Sequence, residues 1–520
     1  MTAPLLQSSR RRWWVLLVLC LSVLLVSVDN TIVNVALPTV GRQLSATTGD
    51  LQWVVDGYTL AFASLLLFGG ALGDRYGRRR LLQLGLVLFA ATSVLAALAD
   101  STGQLVAARV AMGISAAAIY PATLALLITT FPDRRERATA IGIWSAVSGL
   151  SVAVGPVSGG VLLQHFWWGS VFLVNVPLAA LAIVAGRVLL TESAGPRRRF
   201  DPVGALTSMA GIGLLVWTTI EAPGRGWSSP ATLGGYLAAA LALAAFVGWE
   251  LRSRAPMLDV RLFADRRVSV GSGSIALAFF ALFGFIFLIT QFFQDVRGYD
   301  TLTAGLATLP FAVVIGATSP LAIVLMRAIG TKLVVTLGLL TMAAGFATAA
   351  GSALDSAYWG RIVVAMVLMA AGLGLVTGPA TEAVMGALRG EQAGAGSAVN
   401  DTVREVGGTL GVAVVGSVMS TVYGPRVVDA LTATGVPAAA ARAADGSVTA
   451  GLAVAGHLPP GLTGGATVAV QQSFLDGVAA GSWVCAAACA AGALVALALL
   501  PARHREPAAL PAAVAEPVTA

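Results

Sequence analysis

Residues 69–80 read GGALGDRYGRRR: close-set glycines, an Asp-Arg pair and three consecutive arginines, held between two long apolar runs. Gly69, Gly73 and Gly77 remove the side chains that would keep two helices apart. Asp74 suits a helix start or a cation across an interface, beside Arg75 and Arg78. Taken alone, the arginines anchor a membrane topology, because short loops rich in Arg and Lys stay on the cytoplasmic side. The flanks carry the same message over 520 residues: 57% are hydrophobic, 11% are charged, and the mean hydropathy is +0.84. Soluble domains carry roughly 25% charged residues. A hydrocarbon core about 30 Å thick needs about 20 apolar residues per helix. The chain therefore reads as an all-α polytopic membrane protein.

Apolar runs centred near residues 25, 62, 90, 116, 148, 178, 211, 241, 280, 314, 341, 372, 408 and 490 give about 14 spans. The first begins after RRRWW (10–14), as a signal peptide would. Its apolar run exceeds the usual 7 to 15 residues and lacks an A-x-A site, so it counts as a span. An even number places both termini on one side. Of the 32 basic residues, 24 fall in the loops and tails of that side and 6 in the alternate loops, which makes it the cytoplasm. The formal charge of +7 is thereby a topology signal and points to no nucleic acid. Lys332 is the only lysine, a bias that suits a GC-rich bacterial genome. Cys20, Cys485 and Cys489 lie in apolar stretches and read as packing residues, not a disulfide or metal set. No Walker-type loop or H-E-x-x-H occurs, and His165, His457 and His504 are scattered, so ATP bound by this chain is not the expected energy source.

Two basic residues, Arg109 and Arg404, fall inside spans, as does Asp29 in SVDNTIVNVALP (27–38). A carboxylate at membrane depth costs about 2.5 to 3.5 kcal/mol. Asp29 lies beyond the bilayer centre, and aspartate is too short to snorkel easily. Burial favours its neutral acid and a cation such as Arg109 favours its carboxylate; a site balanced between the two can carry a proton. Asp56, in LQWVVDGYTL, is either a second proton site or a cap on the outer end of span 2. Glu382, after Gly378 and Pro379, is either a contact for cationic substrate or a partnered structural acid. Asn400, Arg404, Gly407, Gly408 and Gly411 share one helical stripe that should face protein or a water-filled cavity; Asp401, three residues before Arg404, can neutralise it within the helix, as a structural ion pair or beside a substrate contact. Asn34 joins Glu382, Asn400 and Arg404 as a candidate lining of a substrate cavity. Asp295, Glu221 and Glu250 read as solvated charge at span ends. Residues 424–474, rich in Ala, Gly and Pro with weak helical periodicity, read as a mobile extracellular loop, with a surface helix or a regulatory lid as alternatives.

GGALGDRYGRRR resembles the G-x-x-x-D-R-x-G-R-R loop of the major facilitator superfamily. VDNTIVNVALP resembles the first-span signature of its fourteen-spanner drug:proton antiporters, and LVAARVAMGISAA resembles the family's buried arginine followed by a glycine, here Arg109 and Gly113, with Met112 where a glutamine is usual. GIWSAVSGLSVAVGPVSGG resembles the antiporter motif, with Gly142, Gly155, Pro156, Gly159 and Gly160 in place and Ser151 for one glycine. Further similarity runs through ELRSRAPMLDVRLF, GYDTLTAGLATLP and NDTVREVGGTLG, so it covers nearly the whole chain.

The resemblance implies a six-helix bundle at 1–190, two inserted helices and a cytoplasmic linker at 191–266, a second six-helix bundle at 267–505 containing the loop 424–474, and a cytoplasmic tail at 506–520. It implies a proton-coupled antiporter of a bacterial cytoplasmic membrane, functional as a monomer, exporting drugs, antibiotics or other amphipathic compounds by alternating access. Its partners would be the small-molecule substrate, protons and the bilayer; the proton gradient would drive it, with no cofactor or metal. Asp29, Arg109 and Asp56 would couple protons. Gly69, Gly73, Asp74, Arg75, Gly77 and Arg78 would form a cytoplasmic latch, and the antiporter-motif glycines would let helices shift. A proton-coupled uptake symporter on the same fold is the alternative, and a non-transporting membrane sensor a further one. No nucleophile or metal constellation supports an enzyme.

Overall fold

The computed structural model describes residues 9–194, 201–254, 256, 258–387 and 393–501, and among the described residues it is helical without a strand. Arg197 to Arg199, Arg389 and the tail at 506–520 lie outside the described residues. The first group of helices is α1 (Ser9–Leu44), α2 (Thr48–Tyr76), α3 (Arg78–Ala97), α4 (Thr102–Thr130), α5 (Arg134–His165), and one crossing made of α6 (Ser170–Leu173) and α7 (Asn175–Leu189). Then come α8 (Pro202–Arg225) and α9 (Pro230–Arg252). The second group comprises α10 (Arg266–Gln291), which ends in a π-turn Phe292–Val296, α11 (Thr301–Leu306) with α12 (Leu309–Ile329), α13 (Thr331–Ala350), and α14 (Val363–Gly386), entered through a π-turn Tyr358–Ile362. It continues with α15 (Ala393–Ala433), α16 (Ala438–Ala443), α17 (Val448–Gly456) and α18 (Pro460–Leu499). Twelve helices are long and apolar enough to cross a membrane, thirteen with the bent α2. All 14 sequence-read centres fall within helices.

Side chains at the helix starts supply the acceptors that the first-turn amides need. Thr47 and Asp50 form a reciprocal capping box on α2. Ser101 caps α4, Asp201 caps α8, Ser229 caps α9 and Asp300 caps α11. In the motif loop, Gly77 joins α2 directly to α3 at φ 109°, a conformation that side chains resist. Gly330 makes the same one-residue join between α12 and α13 at φ 88°.

Helices within each group then close on one another through residues without side chains. Gly69 lies against the Ala117 carbonyl of α4, and Gly113 against the Tyr58 carbonyl of α2. On α15, Gly407 and Gly411 meet the backbone at Ala276 and Phe280 of α10, and Gly408 meets the Phe283 ring. The stripe read from sequence thus lies against α10. Of the two inserted helices, α8 packs on both α2 and α15 and so backs the seam between the groups, whereas α9 packs chiefly on α8. Trp53, Val216, Ile220 and Ala413 fill that junction, and the Ser417 hydroxyl donates to the Thr219 carbonyl at 2.8 Å.

The described contacts between the two groups gather in the half of the molecule remote from the start of α1. Gln52 donates to the carbonyls of Val412 and Ala413 (3.2 and 2.9 Å), Thr409 to Thr59 (2.9 Å), Gln294 to the Val35 carbonyl (2.9 Å) and Thr301 to the Gly160 carbonyl (3.1 Å). Gly305 of α11 meets the Pro156 carbonyl of α5. The segment read as a mobile loop is different in the structure. α15 runs on to Ala433, α18 begins at Pro460, and α16 and α17 pack between them with Val448, Thr449 and Ala455 buried. Its alanines favour helix, Ser447 caps α17, and Tyr423 donates to the carbonyls of Ala444 and Ser447. A carbonyl of this segment reaches the first group: the Thr48 amide and hydroxyl donate to the Gly446 carbonyl at 2.9 and 3.1 Å.

Gly411→Leu would drive a side chain into the Phe280 backbone. It is expected to cost at least about 1 to 3 kcal/mol, read as a lower melting temperature and a smaller monodisperse fraction in detergent.

Candidate functional site

Arg109 is fully buried in α4, and three neighbouring helices supply the groups that surround it. Its Nη1 pairs with Asp29 Oδ2 of α1 at 2.5 Å, and its Nε donates to the Val54 carbonyl of α2 at 2.9 Å. The guanidinium lies 4.3 Å from the centre of the Tyr58 ring and 5.8 Å from that of Phe172. The second carboxylate oxygen of Asp29 accepts from Asn175 Nδ2 of α7 at 2.7 Å, and the same amide reaches Ser93 of α3 at 3.3 Å. Each Asp29 oxygen therefore has one donor, one charged and one neutral. Two ions moved out of water lose several kcal/mol of hydration each, and only this quality of pairing offsets it. Arg109 Nη2 is buried without a hydrogen bond, so the arginine keeps one donor unused.

Sequence reasoning placed Asp29 and Arg109 and missed Asn175 and Tyr58. Asn175 carried a signal: it is a lone amide in the apolar run FLVNVPLAALAIVAG, where a polar group needs a partner. Tyr58 carried none, since an aromatic residue in a span reads as packing.

Asp56 lies well inside α2, whose start is already capped by Thr47, so the capping reading fails. It is fully buried, and neither oxygen has a hydrogen-bond partner among the described residues. Gln52, Asp56 and Thr59 share one helical face, and Gln52 and Thr59 both bond to α15. Asp56 thus sits in the seam between the two helix groups, apart from the Asp29–Arg109 pair.

The other candidates are dispersed. Thr381 of α14 donates to Asn400 of α15 at 3.1 Å. Arg404 lies 3.8 Å from Asp401 and stacks over Phe279 at 4.5 Å, with its Nε buried and unbonded. Glu405 Oε2 is likewise buried without a partner. Glu382 is exposed and forms no ion pair among the described residues, so it is not a partnered structural acid here. Asn34 donates back to Asn30 and Thr31 of its own helix. In the motif loop, Asp74 pairs with Arg78 at 2.8 Å and Arg75 stacks on Tyr76, all inside the first group. Gly155 and Gly159 face Thr31 and Ile32 of α1, Gly160 faces Thr301, and Gly142 meets nothing within 4 Å.

Two acids read as solvated are buried. Asp295 accepts from Arg42 at 3.2 Å and from Thr449 at 3.5 Å, which ties α10, α1 and α17 together. Glu250 accepts from the Leu258 amide at 3.1 Å beside Asp201, which itself takes a hydrogen bond from Trp249. In both cases a connector folds back over the span end and removes the water that the sequence leads one to expect. Among the described residues no group of His, Cys, Asp and Glu is arranged for a metal ion, and the three cysteines are buried and free.

The geometry has counterparts. The sequence profile described as Major Facilitator Superfamily matches residues 19–412. The chain is 37% identical over 406 residues to the Multidrug resistance protein Stp of Mycobacterium tuberculosis, covering 77% of this chain and 74% of that protein. It is 34% identical over 493 residues to the Tetracenomycin C resistance and export protein of Streptomyces glaucescens, covering 94% and 91%. Among solved structures it resembles a bacterial homolog of the lysosomal transporter Spinster (inward-facing; TM-score 0.62, 21% identity, covering 94% and 98%) and the xylose transporter XylE from E. coli (TM-score 0.57, 14% identity, covering 95% and 98%).

Removing one partner of the pair strands the other. Arg109→Met is expected to destabilise by about 3 to 5 kcal/mol, and adding Asp29→Leu should restore most of it, measured by thermal unfolding of the purified chain.

Proposed function

The chain belongs to the major facilitator superfamily and is a membrane transporter, not an enzyme; from that premise we propose that it is a proton-driven antiporter exporting drugs, antibiotics or related amphipathic compounds. The observation that carries the proposal is the Asp29–Arg109 pair, buried without water access and held on both carboxylate oxygens. A proton arriving at Asp29 removes the charge that holds Arg109. The guanidinium, with one donor already unused, then re-bonds within the bundle, and the α1–α4 contact changes. Coupling needs no more than that the protonated and unprotonated forms favour different arrangements of the two bundles.

Resistance and export are what the named relatives are known by, and they favour outward movement over the uptake alternative. The finer reading is a fourteen-spanner with both termini cytoplasmic, two six-helix bundles at 1–190 and 267–505, and spans 7 and 8 at 191–266, working as a monomer in a bacterial cytoplasmic membrane. In that orientation the present arrangement is shut at the extracellular end by Gln52, Thr59, Gln294 and the Arg42–Asp295 pair. Asp56 stands in that seam and would meet external water when the seam parts, which suits a proton-loading group. The motif residues Gly69 to Arg78 would latch the cytoplasmic side in the opposite state, with Asp74 exchanging Arg78 for the second bundle. Gly155 to Gly160 would let α5 slide past α1 and α11. Asn34, Glu382, Asn400 and Arg404 are the polar groups assigned to the cavity.

Two experiments test this. In proteoliposomes with an imposed proton gradient, internal pH is followed before and after adding lipophilic cations and antibiotics. Wild type is expected to move protons only with substrate and Asp29→Asn to lose that movement; proton flow that survives in the mutant would move the coupling site to Asp56. In the second, Thr48→Cys/Gly446→Cys is oxidised to a disulfide. Efflux is expected to stop and to return on reduction, because the seam must part for release; unchanged efflux in the oxidised protein would refute closure at this end.

A further inference from the structure

A groove of about 700 Å³ runs along the membrane face of the second helix group, between α11–α12 and the entry to α14. Leu306, Pro310, Val313, Val314, Val363 and Val367 make its walls apolar, and Tyr299, Tyr358 and Trp359 stand at its upper end. Val313 and Trp359 are 68% and 78% exposed, so nothing among the described residues covers it. With the orientation proposed above, on which this inference rests, the groove descends from the extracellular surface through the outer leaflet. Aromatic residues at that level mark the bilayer interface.

Two arginines bond to the turn that leads into the groove's aromatic end. Arg297 lies 6.0 Å from the centre of the Tyr299 ring and donates to the Leu354 carbonyl at 3.0 Å. Arg361, two residues beyond the lining Trp359, donates to the Gly351 carbonyl in the same turn. Neither pairs with a carboxylate among the described residues, Asp355 of that turn included. Asp300, the other acid nearby, is committed to capping α11. Its carboxyl accepts from the hydroxyl and amide of Thr303, bonds that hold it below the usual carboxylate range. An apolar slot one leaflet deep, an aromatic rim and two arginines free of acids form a composite that a single ligand class completes: an acyl chain carrying an anionic phosphate headgroup.

We propose that this groove is a binding site for an anionic phospholipid of the outer leaflet, with the phosphate between Arg297 and Arg361 and an acyl chain along Val313 and Val367. The position ties lipid to transport. α11 is the wall of the groove and also the piece of the second bundle that touches the antiporter-motif helix, through Gly305 at Pro156 and Thr301 at Gly160. Tyr358 donates to the Ala307 carbonyl at 2.9 Å and fixes that wall to α14. A chain seated in the groove braces α11 against α5 and favours the arrangement closed outside.

The test is native mass spectrometry of the purified, delipidated full chain titrated with phosphatidylglycerol or phosphatidylcholine. Wild type is expected to retain phosphatidylglycerol preferentially. Arg297→Gln/Arg361→Gln should lose that preference by roughly fivefold per arginine, about 25-fold together. Val313→Trp, which fills the slot and leaves both arginines, should lower retention of both lipids. Equal retention of the two lipids by wild type, or a preference unchanged in the double variant, would overturn the site. Displacement of phosphatidylglycerol by a lipophilic cation from wild type would reassign the groove to transported compound and overturn it equally. In liposomes, phosphatidylglycerol should slow substrate efflux by wild type and not by the double variant. Absence of substrate-coupled proton movement in every lipid would count against the exporter reading and leave the mass-spectrometric result standing.

Discussion

A guanidinium without water determines how the first bundle is built. Arg109 presents donors in several directions, and in a hydrocarbon setting each donor must be met by protein or left unsatisfied at a cost of several kcal/mol. Asp29, the Val54 carbonyl and the rings of Tyr58 and Phe172 meet it. These groups come from α1, α2 and α6, so the charge on α4 holds them in one arrangement. Asn175 then secures the far side of Asp29 from α7. A purely apolar centre would pack as firmly and would have no means of responding to a proton. The bundle retains an ion pair where burial makes ion pairs precarious, and that is the physical ground for assigning function to it.

The second constraint is the close approach of backbones, which sets where the two bundles can meet. Gly155 and Gly159 bring α5 against α1, and Gly160 with Pro156 brings the same helix against α11 of the other bundle. One helix therefore joins α1, which carries Asp29, to the opposite half of the molecule. In lipid no hydrophobic force separates or joins such faces, so small residues and a few hydrogen bonds decide between arrangements. The Arg42–Asp295 pair, Gln52 and the Thr59–Thr409 contact are of that kind: individually weak, and all broken if the seam parts. A transporter needs closures that hold and can be undone.

What was legible in the sequence followed from the bilayer. Hydropathy put each of its 14 centres inside a helix, and the cost of charge at depth singled out Asp29 and Arg109, which the structure pairs. The glycine stripe on α15 was readable because helical spacing puts Gly407, Gly408 and Gly411 on one side. What was not legible depended on connectors. Asp295 and Glu250 sit where span ends are usually wet, yet both are buried, Asp295 beside Thr449 of α17 and Glu250 beside the Leu258 amide of the following connector. The 424–474 segment misled through its glycines and prolines; in the structure Gly435, Pro437, Gly446 and Pro459 separate helices, whereas Gly424, Pro425 and Gly451 lie within them, and alanine fills much of what lies between. The capping role offered for Asp56 fails because a one-dimensional reading places the helix start at the apolar residues, whereas Thr47 begins it earlier.

The inserted pair α8–α9 bears on how such a molecule can move. α8 touches α2 and α15, one helix from each bundle, on the seam that holds Asp56. Ser417 of α15 donates to its Thr219 carbonyl, and Trp227, two residues past its end, donates to Thr421 of α15, while its contacts with α2 are apolar, Ile220 beside Gly49 and Gly213 beside Leu60. It is thus hydrogen-bonded to the second bundle and only packed against the first. On the function proposed, such an apolar face would keep lipid and stray water out of the seam as it opens and confine access to Asp56 to the extracellular mouth. A coupling carboxylate requires that isolation, because a proton site reachable from both sides at once would leak the gradient it is meant to use.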